Sequence, residues 1–150
     1  MQLKVKRLTE TAILPVKAHK TDAGFDICAD EDLVISAGET VTVSTGLAVA
    51  IEPGYYGRLK GRSGLTAKTT LRVQEGTIDS DYRGEVKVIC ELRTMVLRTI
   101  GLGFSTGYPI KRGQRIAQLI IQPLPPVDLV EVDDLDETDR GTGGFGSTGV

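Results

Sequence analysis

Apolar residues recur at every second position through several short runs, and that alternation limits the fold more than any other feature. Leu3 and Val5, Val41 and Val43, Leu47, Val49 and Ile51, and Val86, Val88, Cys90 and Leu92 each alternate with mostly polar or small residues. A period of two places such a set on one face of a β-strand, so these runs predict half-buried antiparallel strands. Eighteen glycines and six prolines punctuate the 150 residues. Ser36-Ala37-Gly38-Glu39, Glu52-Pro53-Gly54, Tyr82-Arg83-Gly84 and Lys111-Arg112-Gly113 each place Gly or Pro where a chain reversal needs it. The best candidate for a helix, around Leu65 to Thr70, is short and rich in β-branched Thr, so it predicts one or two turns at most. The expected fold is all-β, a sandwich or jelly-roll barrel.

Charge and cysteine usage narrow the function. Eighteen Lys and Arg against twenty Asp and Glu leave a formal charge of −2, which gives no basic field for a nucleic-acid backbone. No apolar run reaches the roughly 18 residues of a membrane span, and Lys4, Lys6 and Arg7 precede no hydrophobic segment, so the expectation is a soluble, cytoplasmic protein. Cys28 and Cys90 sit in apolar strand-like text and read as reduced, structural thiols. One compact core is expected over residues 1–127. Residues 128–150 form a separate segment: Val127 to Asp139 carries seven acidic residues, and a glycine-rich stretch from Arg140 to Val150 follows. That last stretch cannot bury a core. It reads as a mobile arm whose one Arg, one Phe and two hydroxyls could close over a ligand as a lid.

Familiar phosphate loops fail on inspection. Gly61 to Thr69 lacks the glycine a Walker A loop has before its Lys, and no helix follows the C-terminal glycines. The sole histidine, His19, and two distant cysteines offer no zinc cluster, and His19 reads as a structural or surface residue. What remains for hydrolysis is a carboxylate to deprotonate water, with Arg and hydroxyl groups to neutralise a polyphosphate. Asp26, Asp79, Arg62, Ser63 and Arg140 supply those types.

Five segments, in order, resemble the five signature motifs of the trimeric dUTP diphosphatase (dUTPase) family. They are Ala23-Gly24-Phe25-Asp26-Ile27-Cys28-Ala29, Gly61-Arg62-Ser63-Gly64-Leu65, Gly76-Thr77-Ile78-Asp79-Ser80-Asp81-Tyr82-Arg83-Gly84-Glu85, Gly113-Gln114-Arg115-Ile116-Ala117-Gln118-Leu119, and Arg140 to Gly149. The third and fifth are nearly complete. The fourth has Gln114 where the family usually has an acid.

The resemblance implies a jelly-roll-like homotrimer that hydrolyses dUTP to dUMP and pyrophosphate by water attack at the α-phosphorus. Such an activity limits uracil incorporation into DNA and supplies dUMP for dTMP synthesis. By the same resemblance the backbone of Gly76, Thr77 and Ile78 would read uracil, Tyr82 would pack on the deoxyribose, and Asp79 would hold the attacking water as general base. Arg62, Ser63, Gly64 and Gln118 would contact phosphate oxygens. Arg140, Gly146, Ser147 and Thr148 would arrive with the arm, with Phe145 stacking on the base, and Asp26 would join the polar network around the metal-bound phosphates. Mg2+ would be carried by the triphosphate, with no protein ligand of its own. Each site would draw on three chains.

Residues 93–110 are longer than the family's usual connection and read as an extended hairpin or insertion, a place for a protein partner. Two other functions fit the same scaffold. A dCTP deaminase would need a Glu where Ile89 stands, two residues before Glu91, and that family lacks the Arg-to-Gly arm. A dUTP-binding regulatory protein would keep the fold without turnover.

Overall fold

The computed structural model describes residues 1–93 and 107–143. Among them are eleven strands and one helix. The strands are β1 (Lys4–Arg7), β2 (Phe25–Cys28), β3 (Leu33–Ser36), β4 (Thr40–Val43), β5 (Leu47–Ala50), β6 (Tyr55–Gly61), β7 (Leu71–Val73), β8 (Gly76–Ile78), β9 (Val88–Leu92), β10 (Gly107–Ile110) and β11 (Arg115–Pro123). The helix is α1 (Ser63–Lys68). All the pairings are antiparallel: a four-stranded sheet in the order β2-β11-β6-β8, a three-stranded sheet β4-β9-β7, and the pairs β1-β5 and β3-β10. The protein is thus all-β and jelly-roll-like, as the punctuation predicts.

One core joins the sheets. Ile27, Ile35, Val43, Leu47, Val88, Cys90, Ile116 and Leu119 are all but sealed from solvent. On β9 the alternation is followed closely: Val88, Cys90 and Leu92 are buried while Ile89 is exposed. Both cysteines are free thiols. Burial pushes the Cys90 thiol up to about 11 and also raises Cys28, so the neutral thiol dominates at both near neutrality. Strand β5 departs from the half-buried expectation, since Leu47, Ala48 and Val49 are all buried. Ala48 also forms an isolated antiparallel bridge with Glu85.

The turns at Gly38, Gly54 and Gly113 carry the positive φ expected of them. The reversal expected at Tyr82 to Gly84 begins earlier, with the Tyr82 N–H donating to the Asp79 carbonyl at 3.2 Å. The helix begins two residues before its expected position, so Ser63 and Gly64 lie in its first turn rather than in a loop. It ends at Thr69, whose extended backbone leads into β7.

Of the expected 93–110 insertion, residues 94–106 lie outside the described structure. Residues 107–110 form β10, a core strand that ends in the fully buried Ile110. After Pro123 the chain leaves the sheets, and residues 124–142 are exposed throughout. Among the described residues no helix is long and apolar enough to cross a membrane.

Candidate active site

Strand register assembles the first polar cluster. Gln118 on β11 pairs with Asp26 on β2 and with Lys60 on β6, and directly paired residues share a face. Arg62, two residues beyond Lys60, continues that face. Arg115 would fall on the opposite face by simple alternation from Gln118, but a register shift between Arg115 and Ala117 pairs it with Cys28, two residues from Asp26. The bulge therefore turns Arg115 back toward Asp26.

Asp26 is 6% exposed and fully engaged. Arg62 Nε donates to its Oδ1 at 3.0 Å and Arg115 Nη1 to its Oδ2 at 3.2 Å, with Gln118 Nε2 at 3.5 Å from Oδ1. The two guanidinium groups reach outward from this buried carboxylate into a cavity of about 680 Å³, where they are joined by Ser63, Gly64, Lys68 and Gln118. No Asp or Glu lines it, so the cavity is built to hold an anion.

The second cluster forms where β8 ends. Gly76, Thr77 and Ile78 pair with Leu59, Arg58 and Gly57 of β6, and β8 is an edge strand of its sheet. One side of its backbone is thereby available to a ligand. Ile78, Asp79, Tyr82, Glu85, Lys87 and Ile89 help to line a cavity of about 640 Å³. Tyr82 is 46% exposed, and its hydroxyl donates to the Glu85 carbonyl at 3.0 Å.

Glu85 anchors the turn. Its Oε1 accepts from the Ser44 hydroxyl, from Gly46 N at 2.9 Å and from Thr45 N at 3.2 Å. Burial raises the Glu85 carboxyl, but the Ser44 hydroxyl, the Gly46 N–H and Lys87 outweigh it and hold it below the usual range.

The two clusters are well apart in one chain. Ile78 pairs with Gly57, so Asp79 lies level with Tyr56, six residues before Arg62 along β6. At about 3.3 Å per residue the separation is roughly 20 Å. Arg140 belongs to the exposed segment, where its Nε donates to the Gly143 carbonyl at 2.8 Å. Phe145, Gly146, Ser147 and Thr148 lie outside the described residues. Arg115 and Glu85 were not singled out as site residues from sequence, and Arg115 in particular becomes visible only through the bulge.

An all-β scaffold with an arginine-lined anion cavity and an edge strand running into a carboxylate turn offers the groups that a nucleotide hydrolase needs. A family model described as dUTPase matches residues 10–149. Two proteins named deoxyuridine 5'-triphosphate nucleotidohydrolase are similar over nearly the whole chain. The one from Nocardia farcinica is 46% identical, covering 97% of this chain and 84% of its own length. The one from Nautilia profundicola is 42% identical, covering 99% of both.

Among solved structures, the dUTPase of Staphylococcus bacteriophage 80alpha with dUPNHPP superposes with a TM-score of 0.90 at 34% identity, covering 99% of both chains. A point mutant of the dUTPase from phage phi11 of S. aureus, described with a structural Mg(II) ion, gives 0.83 at 31% identity, covering 91% of this chain and 100% of that one. The chain belongs to the dUTPase family.

Proposed function

We propose that the hydrolysis of dUTP to dUMP and pyrophosphate, the activity of the family, is carried out here by the Asp79 turn of one chain acting on a triphosphate held at the Arg62 cavity of another. The observation that carries the reading is the run from Gly76 to Tyr82. Within seven residues it offers edge-strand backbone for a base, a carboxylate for a water and an aromatic ring for a sugar.

Uracil is read by the outward N–H and C=O groups of β8. Their fixed donor and acceptor order refuses cytosine, and the close wall refuses the methyl of thymine. The Tyr82 ring lies against the deoxyribose and leaves a 2'-hydroxyl neither space nor partner. Asp79 accepts a proton from the attacking water as its oxygen bonds to the α-phosphorus. The bond from that phosphorus to the bridging oxygen breaks, and pyrophosphate leaves on its own oxygen. Arg62, Ser63, Gly64 and Gln118 hold the phosphate oxygens. Asp26, with both oxygens taken by arginines, acts as a positioning residue that aims Arg62 and Arg115. Arg140, Phe145, Gly146, Ser147 and Thr148 close over the nucleotide from the arm.

The four P–O bonds that link the α- to the γ-phosphorus of a triphosphate do not span the roughly 20 Å between Asp79 and Arg62 of one chain. A second copy must supply one of the two clusters, which supports a closed C3 homotrimer. Mg2+ fits as an ion carried by the triphosphate. Asp26, the carboxylate behind the Arg62 cavity, has both oxygens paired with Arg62 and Arg115. The ion, when bound, neutralises phosphate charge, and Arg62, Ser63 and Gln118 would hold the oxygens that carry it. The cytoplasm is the compartment this reading assigns.

Deamination of dCTP is disfavoured at the cavity wall itself, where Ile89 is the residue presented. Glu91 instead accepts from Gln74 and lies 4.0 Å from Arg93. Purified protein with Mg2+ and dUTP, dCTP, dTTP or UTP tests the assignment. Pyrophosphate and dUMP are expected from dUTP alone. Ammonia from dCTP, or no turnover of any of the four, overturns it.

A further inference from the structure

Tyr108 reaches the anion cavity from β10, an element that none of the five motifs covers. Its hydroxyl is oriented by Gln114. The backbone N–H of Lys111 donates to Gln114 Oε1 at 3.1 Å, and since that partner is a donor, the amide oxygen must face it. The amide NH2 is therefore turned to Tyr108 and donates to the phenol oxygen at 3.1 Å. With its oxygen engaged as an acceptor, the phenol has its own hydrogen left to give, free to swing about the C–O bond, and Tyr108 lines the same cavity as Arg62, Arg115 and Gln118.

We propose that Tyr108 is a further donor to the phosphate oxygens of the nucleotide, set in its donating orientation by Gln114. This rests on the reading of the Arg62 cavity as the triphosphate site. A neutral donor suits that place, because it adds a directed bond among cations without adding charge repulsion to Arg62, Lys68 and Arg115. It also ties nucleotide binding to β10, and through β10 to β3, whose Ile35 pairs with Tyr108.

The test is calorimetric titration of the full-length chain, in Mg2+, with the non-hydrolysable α,β-imido analogue of dUTP and separately with dUMP. Tyr108→Phe keeps the ring and removes only the donor. It is expected to weaken the analogue by roughly tenfold, the loss of one hydrogen bond to a charged oxygen, and to leave dUMP and the thermal midpoint unchanged. Gln114→Ala is expected to cost a smaller factor in the wild-type background and nothing further in Tyr108→Phe. Equal affinity of Tyr108→Phe and wild type for the analogue overturns the proposal, as does an equal loss for both ligands. A Gln114→Ala loss that persists in full beside Tyr108→Phe overturns the orienting role. If the wild type itself binds the analogue no better than dUMP, the triphosphate reading of the cavity fails first, and this inference falls with it.

Discussion

Tyr82 lies over Gly84 so closely that a methyl group on Gly84 would sit 2.6 Å from the ring carbon Cζ. The glycine leaves the space that the aromatic ring fills two residues earlier, and its φ is ordinary. Gly84→Ala must push the ring out of its place and break the 3.0 Å bond from its hydroxyl to the Glu85 carbonyl. On the proposed reading, in which the ring walls out a 2'-hydroxyl, the preference for dUTP over UTP, measured as the ratio of kcat/KM values, should fall by roughly tenfold or more. The thermal midpoint should move little, because the ring is half exposed. Unchanged discrimination would remove Tyr82 from the specificity wall.

Asp79→Asn should keep the fold and nucleotide binding while lowering kcat by on the order of 10² to 10⁴, the usual contribution of a positioned general base. Stopped-flow or steady-state turnover of dUTP at saturating substrate reads this directly. Wild-type kcat in the variant would strip Asp79 of the role.

Subunit mixing checks the sharing of sites. Chains carrying Asp79→Asn and chains truncated before Arg140 should each be nearly inactive alone. Refolded together in equal amounts, they should regain about a quarter of wild-type activity if each site takes Asp79 and the arm from different chains, since random assembly pairs an intact copy of each that often. No recovery, despite verified exchange of subunits, would place both parts of a site on one chain.

The Glu85 carboxyl makes stability depend on acid. Its folded value lies below the ordinary 4.5, so it contributes stability that is fully present above that pH and is lost as the pH falls through the folded value. Asp30, held below 3.8 chiefly by the Thr9 hydroxyl, acts with the same sign at lower pH. Urea unfolding should give a constant free energy from about pH 7 to 5 and a decline below it. Glu85→Gln should cost about 1–2 kcal/mol at pH 7 and flatten the upper part of that decline. An unaltered acid profile in Glu85→Gln would show that Glu85 is not its source.

Two glycines of like backbone separate strain from crowding. Gly46 has φ +63°, and a Cβ there would lie 2.6 Å from Asp30 Oδ2 and 2.7 Å from Thr9 Oγ1; Gly54 has φ +84° and nothing within 4 Å. Gly54→Ala should cost about 1–2 kcal/mol, the penalty of the left-handed region alone. Gly46→Ala should cost clearly more, as it also parts the Thr9–Asp30 hydrogen bond. Equal losses by chemical denaturation would mean the Asp30 loop yields freely.

The strands were legible wherever one face is buried and the other wet, as on β9, because burial then writes a period of two into the residues themselves. It was less so on β5, where Ala48 is buried along with Leu47 and Val49. The motifs located Asp26, Arg62, Asp79, Tyr82 and Gln118 at the two clusters. Arg115 stands in the fourth motif, but counting by twos from Gln118 sends it to the wrong face, and only a bulge restores it to Asp26. Nor could Glu85 be seen to anchor the turn, because its donors, Ser44 to Gly46, stand about forty positions away and meet it only after folding.

The length of β6 has a consequence for how such a protein can change over time. The turn that carries Asp79 and Tyr82 and the arginine-lined cavity hang from opposite ends of one seven-residue strand, so a substitution near Tyr82 does not have to be reconciled with the arginines around Asp26. On the proposed reading, selectivity for the sugar can drift while the grip on the triphosphate stays intact. A scaffold of this kind is open to new substrates one end at a time.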